Sequence, residues 1–563
     1  MGRHNILNGR LSPNMNKIIY LTLLMLMITL VSSAYAENIE VESVIPAYSA
    51  SCIIVKDIPN IVSAIKASQA WQGIIAEAKK QMQNNSDVPK PMRFMAVDMW
   101  DILALATDRV AIAHLDPTKL DSPTVIVDLR NTKGAFEAVQ KVMQLLKASE
   151  KLDIVPNAGN YQGVTYGIAK PDARYAFMDN LFVFTPNEEM FEMLVDVYKD
   201  KEPSILGDPK FMLASNRVFS DGEAFIYINL EVLTSVTQAL SRRSELKTLG
   251  TNTVKAISWR INLLSPTKDQ ELYFYSGDSN KLMAQLMSTP GTLISPHIVP
   301  ASCADMFFAL NAGDLALTMD TYLEQIKSTM NDEEYSKMQE GISKFETETG
   351  LNLKNDVLMS LTGEFGFAMS VDSTEAGLSS LQNGLMLFVG VKDRDKCKMV
   401  IERFLSKEQV ERKKYKGIEM TYIPSTTGPE GPMGYAFTGD LLVFSSIKRI
   451  TSVINEDVPL VTSERFSQIG SRLPQTYSTL FYLDPSKAMT KLSVPLSQNE
   501  DTMSELQAFG SIGGAVIYDG QGYKMKLTGT QGKSWLEAIG SLVYKMKQSL
   551  GEQQSDPERK MDE

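Results

Sequence analysis

Four Ser-x-x-Lys pairs are the residues of this chain whose spacing could support nucleophilic catalysis. A helix holds such a lysine amine beside the serine hydroxyl, as it does in penicillin-binding enzymes. No SDN or KTG partner motif accompanies the pairs, and Gln507 replaces Lys247 in a related later phrase. Four pairs in unrelated contexts are therefore best explained as coincidence, and Ser63, the most interesting of these serines, is better explained as part of a solvated helical face. The pairs are Ser63 with Lys66, Ser244 with Lys247, Ser265 with Lys268, and Ser445 with Lys448.

Histidine is scarce, which limits both zinc chemistry and triad chemistry. His4 belongs to the predicted leader, so only His114 and His297 remain in the mature chain. Two histidines in different parts of the chain make a zinc enzyme with two or three histidine ligands an unfavoured hypothesis. A Ser-His-Asp hydrolase would need one of these two residues. A lone histidine more often has a local structural role, which is the interpretation we favour.

Two further motifs resemble ligand-binding loops but lack essential parts. The phrase "GPEGPMG" from Gly428 has neither the lysine nor the following helix of a phosphate-binding loop, and it predicts a flexible loop. The phrase "DRD" at residues 393–395 lacks the other ligands of a calcium loop, and it predicts a capped helix start. The sequence therefore assigns no catalytic, cofactor-binding or metal-binding residue, and it implies no cofactor.

Methionine and phenylalanine could together line a soft apolar pocket. The chain has 30 methionines, and those outside the leader are scattered at spacings typical of core positions. Ordinary packing is therefore the favoured use of these side chains. The phenylalanines considered with them are Phe136, Phe182, Phe184, Phe307 and Phe308.

Residues 1–36 have the composition of a secretory signal peptide. Basic residues precede the apolar run "IIYLTLLMLMITLV", and Ala34 and Ala36 give the small-x-small pattern that signal peptidase accepts. The run has about 14 residues, fewer than the roughly 20 that a spanning helix needs. We therefore expect cleavage after Ala36 rather than anchorage. Translation could start at Met1 or at Met15, because the stretch from Met15 is a complete leader by itself.

The chain is acidic, with 56 Lys and Arg against 67 Asp and Glu and a net charge of −11. A polyanion repels phosphate backbones, so nucleic acid is not an expected partner.

No stretch after the leader is long and apolar enough to span a bilayer. The expected location is the periplasm or the exterior of a bacterial cell. The expected partner is an envelope protein or an apolar ligand.

Three cysteines, Cys52, Cys303 and Cys397, are too few and too widely spaced for a disulfide framework. No CxxC pair is present. One disulfide remains open in an oxidising compartment. Buried small apolar side chains are the favoured interpretation.

Short phrases recur along the chain in the same order. The phrase "SELKTLG" from Ser244 returns as "SELQAFG" from Ser504, and "YAFMDNLFVFT" from Tyr175 returns as "YAFTGDLLVFS" from Tyr435. This order predicts a tandem duplication of a unit of about 250 residues. The predicted organisation is a signal peptide at 1–36, α+β units at 37–292 and 293–548, and a disordered polar tail at 549–563.

Strands and helices alternate within each unit, and short gaps between strands require hairpins and therefore antiparallel pairing. The predicted fold class is α+β, a duplicated unit with a mainly antiparallel sheet and helices. Several strands run into a polar residue whose side chain could accept backbone N–H bonds at a helix start. These predicted caps are Asp57, Asn229, Asn311 and Asp484.

The two units differ most plainly at one connection. Residues 167–174 of the first unit are replaced by the longer stretch 421–434 in the second. Surface loops accept insertions and often carry function. We therefore take residues 421–434 as the candidate contact loop.

Several phrases resemble an exported bacterial family, domain of unknown function 3352. They are "ETGLNLKNDVLMSLTGEFGFAMS", the pair "YKGIEMTYIP" and "YAFTGDLLVFSS", and the strand-cap-helix start of the second unit. The second unit resembles the family better than the first, in which Asp108 and Arg109 stand in place of Gly363 and Glu364. The resemblance implies an envelope or secreted protein with no established activity and no catalytic residue to carry over.

Three functional hypotheses follow. The leading one is an exported, non-enzymatic binding or assembly scaffold, because a duplicated frame is present without a catalytic signature. The second is a carrier of an apolar ligand or lipid in the cell envelope. The third is a hydrolase that uses Ser63 or a carboxylate. Enzymatic activity is thus left open, and the sequence favours its absence.

Overall fold

The chain folds as two compact units, Met1–Arg242 and Arg243–Glu563, in this computed structural model. The predicted leader, the polar tail and the pair Ser244 with Lys247 lie outside the described residues. The structure describes residues 39–73, 75–76, 109–120, 122–129, 154–169, 172–218, 222–234, 254–277, 285, 291–329, 331–370, 384–428, 431–455, 457–485 and 507–541.

The first unit is built on antiparallel strands with short helices. Its described strands are β1 (Ser51–Lys56), β2 (Arg109–His114), β3 (Thr124–Asp128), β4 (Ile154–Tyr161), β5 (Val164–Ala169), β6 (Ala173–Met178), β7 (Leu181–Thr185) and β8 (Ala224–Asn229). Its described helices are α1 (Ile58–Ala67), α2 (Glu188–Tyr198) and α3 (Pro209–Val218), with 3₁₀ segments at Val41–Val44 and Ile205–Gly207.

The second unit contains more strands. They are β9 (Ala256–Ile261), β10 (Gln270–Tyr275), β11 (Met306–Asn311), β12 (Leu361–Met369), β13 (Leu385–Val391), β14 (Glu411–Tyr415), β15 (Ile418–Gly428), β16 (Gly431–Thr438), β17 (Leu441–Ser446), β18 (Thr479–Leu483), β19 (Ile512–Tyr518) and β20 (Gly522–Gly529).

The described helices of the second unit are mostly short. They are α4 (Ser295–Ile298), α5 (Leu315–Thr329), α6 (Asp332–Thr349), α7 (Arg394–Phe404), α8 (Ile447–Ile454) and α9 (Glu464–Gly470). The 3₁₀ segments are Ala301–Cys303, Leu358–Ser360, Leu405–Lys407 and Leu460–Thr462, and Leu353–Val357 forms a π-helical turn. None of the helices in the described ranges has the length and hydropathy of a bilayer-spanning segment.

The same strand order occurs in both units. It is β8-β1-β2-β3-β7-β6-β5-β4 in the first and β18-β11-β12-β13-β17-β16-β15-β14 in the second, and every pairing is antiparallel. The register repeats too, because Lys56 lies opposite Arg109 in the first unit and Asn311 opposite Glu364 in the second. The fold is therefore α+β with a repeated unit, as the sequence predicted.

The hairpin β9–β10 lies in the second compact unit, although its sequence falls in the predicted first repeat, 37–292. Strand β10 pairs with β20, with Gln270 opposite Leu527 and Tyr275 opposite Gly522. Strand β20 in turn pairs with β19, and β19 with β18. These ladders explain why the compact units divide after Arg242. The repeat boundary at residue 292 stays a prediction about the sequence.

Side chains of the second unit alternate between two cores on opposite faces of the sheet. Ala436 of β16 belongs to a large cluster that includes residues of α8 and α9. Its neighbours Tyr435 and Phe437 belong to a smaller cluster with Cys397 of α7. This alternation is the period-two pattern of a strand whose two faces are both covered.

The predicted helix cap at Asn229 forms as expected. For the predicted cap at Asp484, the helix lies outside the described residues. The side-chain oxygen of Asn229 accepts the N–H of Val232 at 3.3 Å. The carboxylate of Asp484 instead accepts a hydrogen bond from Arg465. The helix predicted after Asp484 continues beyond residue 485, outside the described residues.

Two predicted caps were wrong. Asp57 adopts a left-handed backbone with φ 55°, and its carboxylate accepts from the side-chain amide of Asn60 at 2.7 Å instead of capping α1. Asn311 lies too early to cap α5. Asp314 takes that role by accepting the N–H groups of Ala316 and Leu317, each at 3.0 Å. A strand end and a helix start are separated here by a loop that the sequence pattern did not show.

Candidate functional site

Two Ser-x-x-Lys pairs use their hydroxyls for local backbone contacts. The hydroxyl of Ser63 donates to the carbonyl of Pro59 at 2.8 Å on an exposed turn of α1. The hydroxyl of Ser445, which is fully buried in β17, donates to the carbonyl of Leu385 at 2.8 Å. Both arrangements serve the fold, and neither hydroxyl is paired with a lysine amine.

The pair of Ser265 and Lys268 is structurally the most unusual of the four. Lys268 is 1% exposed, and its amine donates to the carbonyls of Thr530 at 3.1 Å and Pro266 at 3.3 Å. The amine also lies 4.8 Å from the centre of the Phe509 ring, a cation–π contact. The hydroxyl of Ser265 instead contacts Thr267 at 2.8 Å. The serine and the lysine therefore have separate partners.

Burial lowers the pKa of Lys268 to about 8, with a smaller contribution from the positive charge of Arg472. Asp269 acts in the opposite direction. The carboxylate of Asp269 accepts from the hydroxyl of Thr528 at 2.6 Å, which ties the β9–β10 turn to β20. Lys268 and Asp269 thus anchor the turn.

The two histidines belong to different compact units. His114 ends β2, and its Nδ1 lies 2.9 Å from the hydroxyl of Ser51 on the neighbouring strand. Burial lowers the pKa of His114. Among the described residues no carboxylate joins this contact. His297 is exposed in the short helix α4 of the other unit.

The remaining sequence candidates also have structural roles. Asp393 accepts the N–H of Lys396 at 3.0 Å and so caps α7, as predicted. Cys52, Cys303 and Cys397 are all buried and are not joined in a disulfide, which agrees with the favoured interpretation. Within the described ranges, no group of three or more His, Cys, Asp or Glu side chains is placed to hold a metal ion.

The phenylalanines considered for an apolar pocket make ordinary packing contacts where the structure describes them, which is the favoured interpretation. Phe182 and Phe184 are core residues of β7, each at most 1% exposed. Phe307 stacks on Phe388 at 5.5 Å, and Phe308 stacks on Phe367 at 5.8 Å. Phe136 lies outside the described residues.

An open cavity of about 180 Å³ lies in the second unit, between the end of α7 and strands β14 to β16. Glu402 of α7 lines it together with Leu405 and Ser406 of the 3₁₀ segment that follows. The strands contribute Arg412 from β14, Thr421 from β15 and Tyr435 from β16, and the connecting residues Glu408 and Val410 complete the lining.

Tyr435 is the buried wall of this cavity. Its side chain is 5% exposed, and its ring packs on Phe444 at 5.9 Å and Phe437 at 6.1 Å. The hydroxyl is buried and has no hydrogen-bond partner in the described part of the chain. A buried hydroxyl without a partner costs about 1–3 kcal/mol.

The equivalent position in the first unit shows why the cavity forms beside Tyr435. Tyr175 pairs with Gly167 across β5 and β6, and the space of a Cβ at Gly167 is filled by the Tyr175 ring. In the second unit the partner of Tyr435 is Thr421. Glycine has no side chain, so the Tyr175 ring can lie over Gly167. Thr421 has a side chain, so the Tyr435 ring cannot lie over it in the same way.

Charges surround the mouth of the cavity. The guanidinium of Arg412 lies 3.0 Å from the carboxylate of Glu402, with the two side chains 50% and 42% exposed. Nearby, Lys398 and Glu419 pair at 2.9 Å, and this hydrogen bond raises the pKa of Lys398 and lowers that of Glu419. The carboxylate of Glu408 forms no ion pair with any described residue. The arrangement can bind a small polar ligand, but it presents no nucleophile with an adjacent base.

Sequence reasoning found this region without finding the site. The described residues of the candidate contact loop, 421–428 and 431–434, belong to β15 and β16, so the loop predicted from "GPEGPMG" is strand at these positions. Residues 429 and 430 lie outside the described residues. Thr421, its first residue, and Tyr435, the residue directly after it, line the cavity. The signal that could have found them is the replacement of Gly167 by a threonine opposite a tyrosine.

The protein is an α+β protein with a duplicated antiparallel sheet. Its described residues form a small polar cavity and no catalytic constellation. The chain belongs to the family described as "Protein of unknown function (DUF3352)", whose model matches residues 100–387 and 372–559. The double match agrees with the internal repeat. No curated protein matches the chain.

Two solved structures show a slight likeness. The structure of crystal form III of TP0453 is 12% identical, with a TM-score of 0.26, and the match covers 45% of this chain and 90% of that one. Crystal form I of TP0453 is 12% identical, with a TM-score of 0.24, and the match covers 43% and 81%. Similarities of this size support no argument about fold or function.

Proposed function

We propose that the protein is exported and acts as a non-enzymatic binding protein of the cell envelope, with its ligand site in the cavity at Tyr435. The observation that carries this proposal is that Tyr435 lines a cavity and that its buried hydroxyl has no hydrogen-bond partner among the described residues. Ligand sites are typically concave, mostly preformed, and furnished with a few convergent polar groups.

The surrounding chemistry favours binding over catalysis. General acid–base and nucleophilic catalysis need a nucleophile within reach of a base. The cavity offers Ser406, Tyr435 and an ion pair between Glu402 and Arg412, and no histidine or cysteine lines it. These groups are suited to binding a ligand without changing it chemically.

A ligand screen on the mature chain tests the binding proposal. Small polar compounds that raise the melting temperature would be measured again on Tyr435→Phe, with Tyr175→Phe as the matched control. We expect the shift to be reduced in Tyr435→Phe and kept in Tyr175→Phe, because both changes remove a buried hydroxyl but only Tyr435 lines the cavity. Equal loss in both variants, or no active compound, would contradict the proposal.

Export is tested separately on cells that produce the full chain. The leader at residues 1–36 supports it, because a basic segment, an apolar run and a small-x-small site occur in the order that secretion requires. N-terminal sequencing of the fractionated protein is expected to begin at Glu37. A cytoplasmic protein that retains the leader would count against export and leave the binding test unaffected.

A further inference from the structure

We propose that the outer edge of strand β14 binds an extended acidic segment of another protein, which adds to the second-unit sheet as a further antiparallel strand. Recognition of this kind uses backbone hydrogen bonds for affinity and side chains for selectivity. Arg412 of β14 also lines the cavity at Tyr435, but the added strand contacts the backbone edge and its charges, so it is independent of the function proposed above.

Strand β14 is the last strand of its sheet in the described part of the chain, because it pairs with β15 and with no other described strand. After Tyr415, Lys416 and Gly417 form a two-residue turn with φ 48° and 83°. The two residues that flank such a turn exchange both of their N–H···O bonds, and the direction of the backbone groups alternates from there. The N–H and C=O groups of Arg412 and Lys414 therefore point to the outer edge.

These outward backbone groups lie on an exposed stretch. Residues Glu411 to Lys414 are all exposed. Outside the ladder of β14 with β15, no backbone hydrogen bond joins Arg412 or Lys414 to another described residue. A row of exposed N–H and C=O groups at a sheet edge is a template for a further strand.

The corresponding edge of the first unit is irregular. Strand β4 has the same place in the strand order, and its register against β5 shifts between Val155 and Gly159. Within this stretch Pro156 has no N–H group, and Asn157 has a left-handed backbone with φ 52°. A bulge and a proline both hinder pairing at a sheet edge. Strand β14 contains no proline and no register shift, so of these two edges the second-unit one is regular.

The charges of β14 differ between its two ends. Glu411 begins the strand, whereas Lys413 and Lys414 lie toward the turn, and Lys416 belongs to the turn itself. Neither Lys413 nor Lys416 forms an ion pair with a described residue. Lys414 lies opposite Glu419 in the ladder. The end of the edge near the turn is therefore positive.

The carboxylates beside β14 do not cancel this positive end. Glu419 is paired with Lys398 at 2.9 Å, and Glu402 is paired with Arg412 at 3.0 Å. Glu408 precedes the strand, at the end far from the turn. Opposite charges directly across two strands are favourable. An acidic segment therefore gains charge pairs near the turn in addition to the backbone bonds.

The same cations disfavour pairing between two copies of the chain. Antiparallel pairing centred on Lys413 would place this residue opposite its own copy and Arg412 opposite Lys414. Like charges directly opposite each other are destabilising. Lysine on an edge strand therefore protects against self-association, and it leaves the edge open to a strand of opposite charge.

Peptide titration tests the proposal. The probes are the capped heptapeptide Thr-Val-Glu-Glu-Glu-Val-Thr and its counterpart with glutamine in place of glutamate, each titrated into the mature chain by calorimetry. We expect the glutamate peptide to bind about tenfold more tightly, because exposed charge pairs add to the same backbone bonds. Added salt should reduce this preference. Equal affinity of the two peptides would overturn the proposal.

Backbone methylation separates strand addition from simple charge attraction. Two further glutamate peptides carry N-methyl groups at alternate residues, at the odd positions in one and at the even positions in the other. An added strand presents only one of its edges to β14, so one peptide should keep most of its affinity and the other should bind about tenfold more weakly. Equal binding of both methylated peptides would show that the backbone is not recognised, which also overturns the proposal.

Two changes at one position give a matched comparison in the protein. Lys414→Gln removes a charge and should reduce the preference for the glutamate peptide, while the glutamine peptide binds as before. Lys414→Pro removes the same charge and the outward N–H, which an edge strand tolerates, and it should abolish binding of both peptides. Lys337→Gln, an exposed charge change on α6, is the control. If Lys414→Pro fails to fold, the methylated peptides decide the question on the unchanged protein.

Other partners would give different results. A mature chain that is dimeric, and that becomes monomeric in Lys414→Pro, would show that the edge pairs with a second copy. Binding to phosphatidylglycerol vesicles without binding of any peptide would show that the cations contact a lipid surface. Either result, or no binding of any peptide, overturns the proposal and leaves the Tyr435-dependent ligand screen unaffected.

Discussion

Arg109 and Glu42 form a partly buried ion pair in the first unit, with the guanidinium 3.0 Å from the carboxylate and the side chains 14% and 4% exposed. The pair joins the first residue of β2 to the 3₁₀ segment Val41–Val44. The equivalent residue of the second unit is Glu364, whose two carboxylate oxygens accept the N–H groups of Ile294 and Ser295, each at 2.7 Å. A positive side chain therefore binds the segment before the first strand in the first unit, and a negative side chain does so in the second.

Replacing Glu42 with Gln should destabilise the first unit by about 2 kcal/mol, because the partly buried Arg109 guanidinium loses a charged hydrogen-bond partner. The measurement is urea unfolding of the mature chain. The double variant Glu42→Gln/Arg109→Met should recover much of this loss, since it removes the buried charge as well. A double variant no more stable than the single one would show that the pair is not the cause.

Replacing Glu364 with Gln should loosen the start of the second unit by about 2 kcal/mol. Glutamine offers one acceptor oxygen and turns an N–H₂ group toward a backbone N–H, so one donor is left without a partner. Hydrogen exchange is expected to rise around Ile294 and Ser295. Glu340→Gln, on the exposed face of α6, is the control. Unchanged exchange at Ile294 in Glu364→Gln would contradict the role of this carboxylate.

Lys268 should make stability depend on alkaline pH. Its pKa of about 8 lies below the unfolded value of 10.5, so between these pH values the unfolded chain binds more protons and stability rises with pH. Relative to Lys268→Met, the wild type should therefore gain about 2 kcal/mol from pH 7 to pH 10. Urea unfolding of both proteins at several pH values measures this difference. Parallel pH profiles would contradict it.

Gly167 should tolerate no larger residue beneath the Tyr175 ring. A Cβ at this position would overlap the ring, so Gly167→Ala is expected to cost about 1–3 kcal/mol through overpacking. Gly341→Ala, in the exposed interior of α6 with open space around it, is a control of opposite sign that should stabilise by about 1 kcal/mol. Thermal unfolding compares the two. A neutral Gly167→Ala would mean that the ring moves aside freely.

The sequence by itself determined the repeated plan of this protein. Matching phrases such as those at Tyr175 and Tyr435 predicted the duplication, and short gaps between alternating strands predicted antiparallel hairpins. Both signals are local, because side-chain period and turn length act over a few residues. The cap at Asp393 was predictable for the same reason, whereas those at Asp57 and Asn311 were wrong because loop length and backbone conformation there follow from packing.

Only the tertiary structure decided where the chemistry lies. The amine of Lys268 reaches a carbonyl at Thr530, 262 residues away, and Glu364 reaches backbone groups about 70 residues earlier. The cavity at Tyr435 depends on which residue faces the tyrosine across a ladder and on how α7 ends. Contacts of this kind join segments that no local pattern relates, since each is fixed by sheet register and by packing of the whole unit.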